Sequence, residues 1–114
     1  MNSYLEGQMI SEQDRKIAQE LKRRISEVVP LIDFKVFGSR ARGDADEYSD
    51  MDVFIEVETI TRDIQEKISG ISWELSLDHL IHIAIIIFTR DELEKTPVRS
   101  SPIILNIREE GVGV

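Results

Sequence analysis

Two short stretches carry residue types suited to a phosphorylated ligand. Gly38-Ser39 follows directly on Asp33-Phe34-Lys35-Val36-Phe37, and Asp50-Met51-Asp52 opens a second apolar run. A glycine-serine pair after a strand offers backbone N–H groups and a hydroxyl at the mouth of a helical turn, and the glycine lets a ligand come close. Asp50 and Asp52 lie two apart at the start of a strand, so its period sends both carboxylates to one face. Like charges side by side are costly without a cation between them. Hard oxygen ligands at that spacing suit Mg²⁺, which typically takes one or two carboxylates plus substrate phosphates. One loop for phosphates and one strand for metal is the layout that in-line phosphoryl or nucleotidyl transfer needs. Each part alone is commonplace: Gly-Ser after a strand is usually a turn, and Asp-x-Asp a solvated strand start or a helix cap. Their order around two strands is more specific.

The string Gly38-Ser39-Arg40-Ala41-Arg42-Gly43, followed by Ser49-Asp50-Met51-Asp52, resembles the signature of the DNA polymerase β-like nucleotidyltransferase superfamily, in its minimal nucleotidyltransferase branch. The likeness runs from the strand near Phe34 to the segment Ser101–Gly111. It implies a nucleotidyltransferase fold and transfer of a nucleoside monophosphate from a triphosphate such as ATP to a protein or small-molecule acceptor. By the same resemblance Gly38 and Ser39 hold the β- and γ-phosphates, and Asp50 and Asp52 bind the Mg²⁺ ions of a two-metal site. Arg42 touches the triphosphate, unless it and Arg40 are surface charges.

The family normally adds a third carboxylate from a later strand. The matching segment, Ile81 to Phe88, holds no Asp or Glu, and His82 aligns with the missing acid. An imidazole serves as a general base near neutral pH or ligates softer metals, and is a poor Mg²⁺ ligand. The plainer reading of His82 is a strand-entrance histidine bonded to backbone. Asp78 and His79 fall in the preceding turn, and Glu56 shares the Asp50/Asp52 face but reaches them only if the strand bends. Two expectations follow. One is an active Mg²⁺-dependent enzyme with Asp50, Asp52 and His82 as its catalytic set. The other is a catalytically weakened nucleotide-binding module, similar to the antitoxin of a toxin–antitoxin pair whose partner is an all-helical HEPN-like protein. A structural domain with a coincidental motif is a third.

The elements that must position these residues follow from periodicity. Ile17, Leu21, Ile25 and Val28 recur at helical spacing after a Ser11 N-cap, with Asp14 in the first turn, and Pro30 ends the pattern. Asp33–Phe37 and Met51–Val57 read as strands, separated by a polar loop with room for one helical turn. Thr61 opens a second helix with Ile64, Ile68, Ile71 and Leu75 as its apolar stripe. Ile81–Phe88 is almost unbroken aliphatic and predicts a strand buried on both faces. Trp73, Leu75 and Leu77 read as core. Thr89-Arg90-Asp91-Glu92 is a capping box. Ser101-Pro102 starts a last helix with stripe Ile103, Ile104 and Ile107, and Gly111 stops it. The order is an α/β (α+β) arrangement, a small mixed sheet covered by helices with space for a short extra edge strand.

At 114 residues the chain suits a flexible N-terminus over residues 1–10 and a single nucleotidyltransferase domain over 11–114. Its formal charge of −8 gives no counterion-release advantage on a polyanion, so long nucleic acid is not an expected partner. A metal ion can still invert the local field for a nucleoside triphosphate. No apolar run approaches a membrane span, and the polar start with Glu6 does not resemble a secretory signal. With no cysteine, a cytoplasmic location is expected. Since no acceptor-binding domain is evident, a HEPN-type helical protein or a second copy in a homodimer is the expected partner.

Overall fold

The computed structural model describes residues 10–114. The expectation of a loose N-terminus concerns residues 1–10, of which 1–9 lie outside the described residues; Ile10 is buried, only 6% exposed. Helix α1 (Glu12–Ser26) begins at the Ser11 cap, whose hydroxyl accepts from the Asp14 N–H. Strand β1 (Asp33–Phe37) leads into the one-turn helix α2 (Ser39–Arg42), and a loop then reaches strand β2 (Met51–Val57). Helix α3 (Arg62–His79) is capped by Thr61 and crosses to strand β3 (Ile83–Thr89). Helix α4 (Arg90–Lys95), a 3-10 turn (Pro97–Ser100), helix α5 (Pro102–Glu110) and strand β4 (Val112–Gly113) complete the described chain. The capping box forms as read: Thr89 and Glu92 satisfy each other's backbone N–H.

The sheet runs β3-β2-β1-β4, with β1 antiparallel to β2 and β4 and β2 parallel to β3. Alternation along β2 divides it between two cores. Met51, Val53, Ile55 and Val57 face Ile17, Leu21 and Ile25 of α1 and Ile68 and Leu75 of α3. Phe54, with Phe37, packs on the other side against Leu93, Ile104 and Ile107 of α4 and α5. Asp52 shares that second face, paired across from Phe37 in the β1–β2 register.

Three expectations need correction. Strand β3 starts at Ile83 rather than Ile81 and is not buried on both faces: only Ile83 is fully buried and the rest is half-buried. The cause is position, because β3 is an edge of the sheet and its outer flank pairs with no strand among the described residues. Trp73 and Leu77 are not core but 65% and 55% exposed, while Leu75 is buried, since the inward stripe of α3 is Ile68 and Leu75 with Ile64 and Ile71 half-buried. In α5, Ile104 and Ile107 are buried and Ile103 turns outward.

Candidate active site

The end of β1 and the start of β2 are neighbours, so the antiparallel register sets the Gly38-Ser39 turn beside the aspartates. Gly38 has φ 77° and ψ −159°, a conformation open to glycine and strained for other residues. It is also in close contact: a Cβ on Gly38 would lie 2.5 Å from Asp52 Oδ2. Helix α2 has no side-chain cap at its N-terminus, which leaves its first-turn N–H groups for another acceptor. Gly43 ends the turn with φ 80°.

Asp52 lies partly buried in β2, whereas Asp50 stands just before the strand and is exposed. Burial pushes the Asp52 carboxyl above its ordinary range, Asp50 raises it further, and His82 works against them. A carboxylate pair with this frustration gains from a cation. His82 precedes β3, and its carbonyl accepts from the Met51 N–H at 2.9 Å. Its Nδ1 lies 3.2 Å from Asp50 Oδ1. The parallel register Met51↔Ile83 brings these two residues side by side.

The chain belongs to the nucleotidyltransferase domain family. Residues 14–112 match that family's model, in agreement with the resemblance to the polymerase β-like superfamily. A crystal structure of a proposed nucleotidyltransferase from Sulfolobus solfataricus shares the fold, with a TM-score of 0.51 and 21% identity over 99% of this chain and 86% of that one. No curated protein matches the chain.

For a nucleotidyltransferase, the structure brings together Gly38, Asp50, Asp52 and His82, with Ser39 adjoining Gly38 at the start of α2. The two carboxylates fit Mg²⁺ by donor type, with phosphate oxygens left to fill the shell. Among the described residues no three of His, Cys, Asp and Glu form a group able to hold a metal by themselves. Glu56 lies toward the far end of the same β2 face, where burial first and Asp33 second raise its carboxyl while Arg90 lowers it. Arg42 is engaged elsewhere. Its Nε donates to Asp44 Oδ2 at 3.2 Å and its Nη1 to Glu110 Oε1 at 3.1 Å, and these partners raise its pKa, Asp44 most. A triphosphate would have to compete with both.

Sequence reasoning missed Arg40, left there as a surface charge. It is buried and forms a two-oxygen ion pair with Asp14 of α1 at 3.0 and 3.1 Å. No spacing signal joins residues 26 apart. The only hint was an acid in the first turn of α1, and a first-turn acid is ordinary in its own right. A cavity of about 420 Å³, lined by Asp14, Arg40, Asp46 and His79 among others, lies against this pair. Neither Asp50 nor Asp52 lines it, so this cavity and the phosphate chemistry point to different places. The open Gly38–Asp52 junction is the better candidate, because hydrogen-bond donors and a metal, not enclosure, hold a triphosphate.

Proposed function

We propose that this chain transfers a nucleoside monophosphate from a nucleoside triphosphate, ATP first among them, to an acceptor hydroxyl, with Mg²⁺. The observation that carries the reading is the close approach of Gly38 to the Asp52 carboxylate, because a turn that binds phosphate and an oxygen that binds metal would need to be neighbours. Backbone N–H groups at Gly38–Ser39 and the Ser39 hydroxyl hold the β- and γ-phosphates. Asp50 and Asp52 would hold the metal, which when bound offsets charge developing on the phosphoryl oxygens. The acceptor oxygen attacks the α-phosphorus, the bond to the bridging oxygen of the β-phosphate breaks, and pyrophosphate leaves. His82, held to Asp50, is the candidate to accept the hydroxyl proton.

The experiment follows the label. ATP labelled at the α-phosphate should label an acceptor in a lysate or a partner fraction, γ-labelled ATP should not, and Asp52→Ala should abolish transfer. Equal transfer by Asp52→Ala would refute the assignment.

One observation favours a second reading. Among the described residues no third acid joins Asp50 and Asp52 to form a metal-holding group, and by the resemblance His82 aligns with the acid that the family usually supplies. On that reading the chain binds nucleotide without turnover and acts as an antitoxin-type module on a helical HEPN-like protein. Mg²⁺-dependent ATP binding with no transfer, and gain of transfer in His82→Asp, would favour it.

A further inference from the structure

We infer that Arg40 is a positioning residue: it fastens the loop ahead of the metal-binding strand and acts through the Ser49 carbonyl on Asp50. This rests on the reading of Asp50 and Asp52 as metal ligands.

Residues 43–50 form no helix or strand. Their shape comes from a turn in which Asp46 Oδ1 accepts from the Tyr48 N–H and the Ser49 hydroxyl, and the Asp46 carbonyl accepts from the Ser49 N–H. Such a turn fixes its own shape but not its place on the protein. Arg40 supplies the place. Its Nε donates to the Ser49 carbonyl at 2.9 Å and its Nη2 to the Asp46 carbonyl at 3.5 Å. Among the described residues, these are the hydrogen bonds that join Asp46–Ser49 to another element.

The guanidinium is itself held. Nη1 donates to both carboxylate oxygens of Asp14, and the two side chains are 9% and 11% exposed. A planar fork with five donors can serve a carboxylate and two carbonyls at once, which a lysine ammonium at the end of a flexible stem cannot. Arg40 also belongs to α2, directly after Ser39, so one residue spans the phosphate turn, the N-terminal helix and the segment ending at Asp50. Ser49 is covalently joined to Asp50, so a displaced Ser49 carbonyl displaces the carboxylate.

A merely structural ion pair would make a different expectation. Replacing a buried pair with apolar residues of similar volume often leaves folding intact, so the double variant Arg40→Met/Asp14→Leu separates the roles. Arg40→Lys is the conservative companion. ATP binding by each protein is measured with Mn²⁺ and with EDTA, alongside melting and amide exchange in the free protein. Both variants are expected to melt cooperatively and keep protection in α1 and α3, while amides at Ser49–Asp52 exchange at least about tenfold faster. Metal-dependent ATP affinity should fall about tenfold, the usual scale for losing an outer support of a metal ligand, with affinity in EDTA unchanged. Unchanged exchange and affinity in the double variant would overturn the inference. Faster exchange with undiminished metal-dependent affinity would overturn it too, leaving Arg40 a structural residue. A native chain that binds ATP equally in Mn²⁺ and EDTA would refute the metal-site reading and this inference together.

Discussion

Gly38→Ala tests two consequences of one geometry. At φ 77° and ψ −159° a residue with a side chain is strained by about 1–3 kcal/mol. The new Cβ would lie 2.5 Å from Asp52 Oδ2, closer than the 3.0 Å that real Cβ contacts keep. Either the turn retreats or Asp52 leaves its rotamer, which adds about 0.5–1.5 kcal/mol. Reduced freedom of the unfolded chain returns about 0.4–1 kcal/mol. The net loss of about 0.5–4 kcal/mol, at ~4 °C per kcal/mol, lowers the melting temperature by roughly 2–16 °C. Gly70→Ala is the control: it lies within α3 with nothing within 4 Å of its Cβ. That variant should gain about 0.5–1 kcal/mol. Calorimetry of both proteins reads the stabilities, and titration with Mg²⁺ and ATP reads the site. Because Gly38→Ala must move the phosphate turn or the carboxylate, its metal-dependent affinity should fall even at temperatures where it is fully folded. A Gly38→Ala protein that melts within about 2 °C of native and binds Mg²⁺ and ATP as well would refute the reasoning.

Further variants probe separate parts of the account. Leu80 ends α3 with φ 54° and is 87% exposed, so Leu80→Gly relieves backbone strain and loses almost no burial; a gain of about 0.5–1 kcal/mol is expected in a urea melt. Asp52→Asn should raise the melting temperature of the metal-free protein at neutral pH, while abolishing the Mg²⁺-dependent part of ATP binding. The folded-state pKa of Asp52 is raised. Ionisation therefore penalises folding as pH rises through that value, and the two proteins should converge at acid pH, where Asp52 is protonated in both states. Glu56 is raised as well, by burial and then by Asp33. A pH series of melts should show Glu56→Gln more stable than native above the folded pKa and equal to it below the unfolded one, and the opposite trend would remove the burial argument.

The fold was legible where one residue decides an element locally. Aromatic and β-branched composition marked β1 and alternation marked β2 to the residue, and Ser11, Thr61, Thr89 and Ser101 marked four helix starts through bonds to the next turn. The candidate site was legible as a list, Gly38, Ser39, Asp50 and Asp52, because motif residues sit close along the chain. What stayed hidden depends on contacts distant in sequence. The aliphatic run of β3 looks the same whether a strand is central or at an edge, and composition does not encode which neighbour is missing. The pairing of His82 with Asp50 needs the Met51↔Ile83 register, which a one-residue slip would undo. Arg40 was hidden for the same reason, as its partner Asp14 belongs to another helix.

On the proposed function, Gly38–Ser39 and Asp50–Asp52 together form one metal–triphosphate site. Calorimetric titration of ATP into the native chain, with Mg²⁺ and with EDTA, and then into Asp52→Ala, tests it most directly. Affinity should be at least about tenfold higher with Mg²⁺ in the native chain, and equally low with or without Mg²⁺ in the variant. A Mg²⁺-dependent gain that survives intact in Asp52→Ala would contradict it.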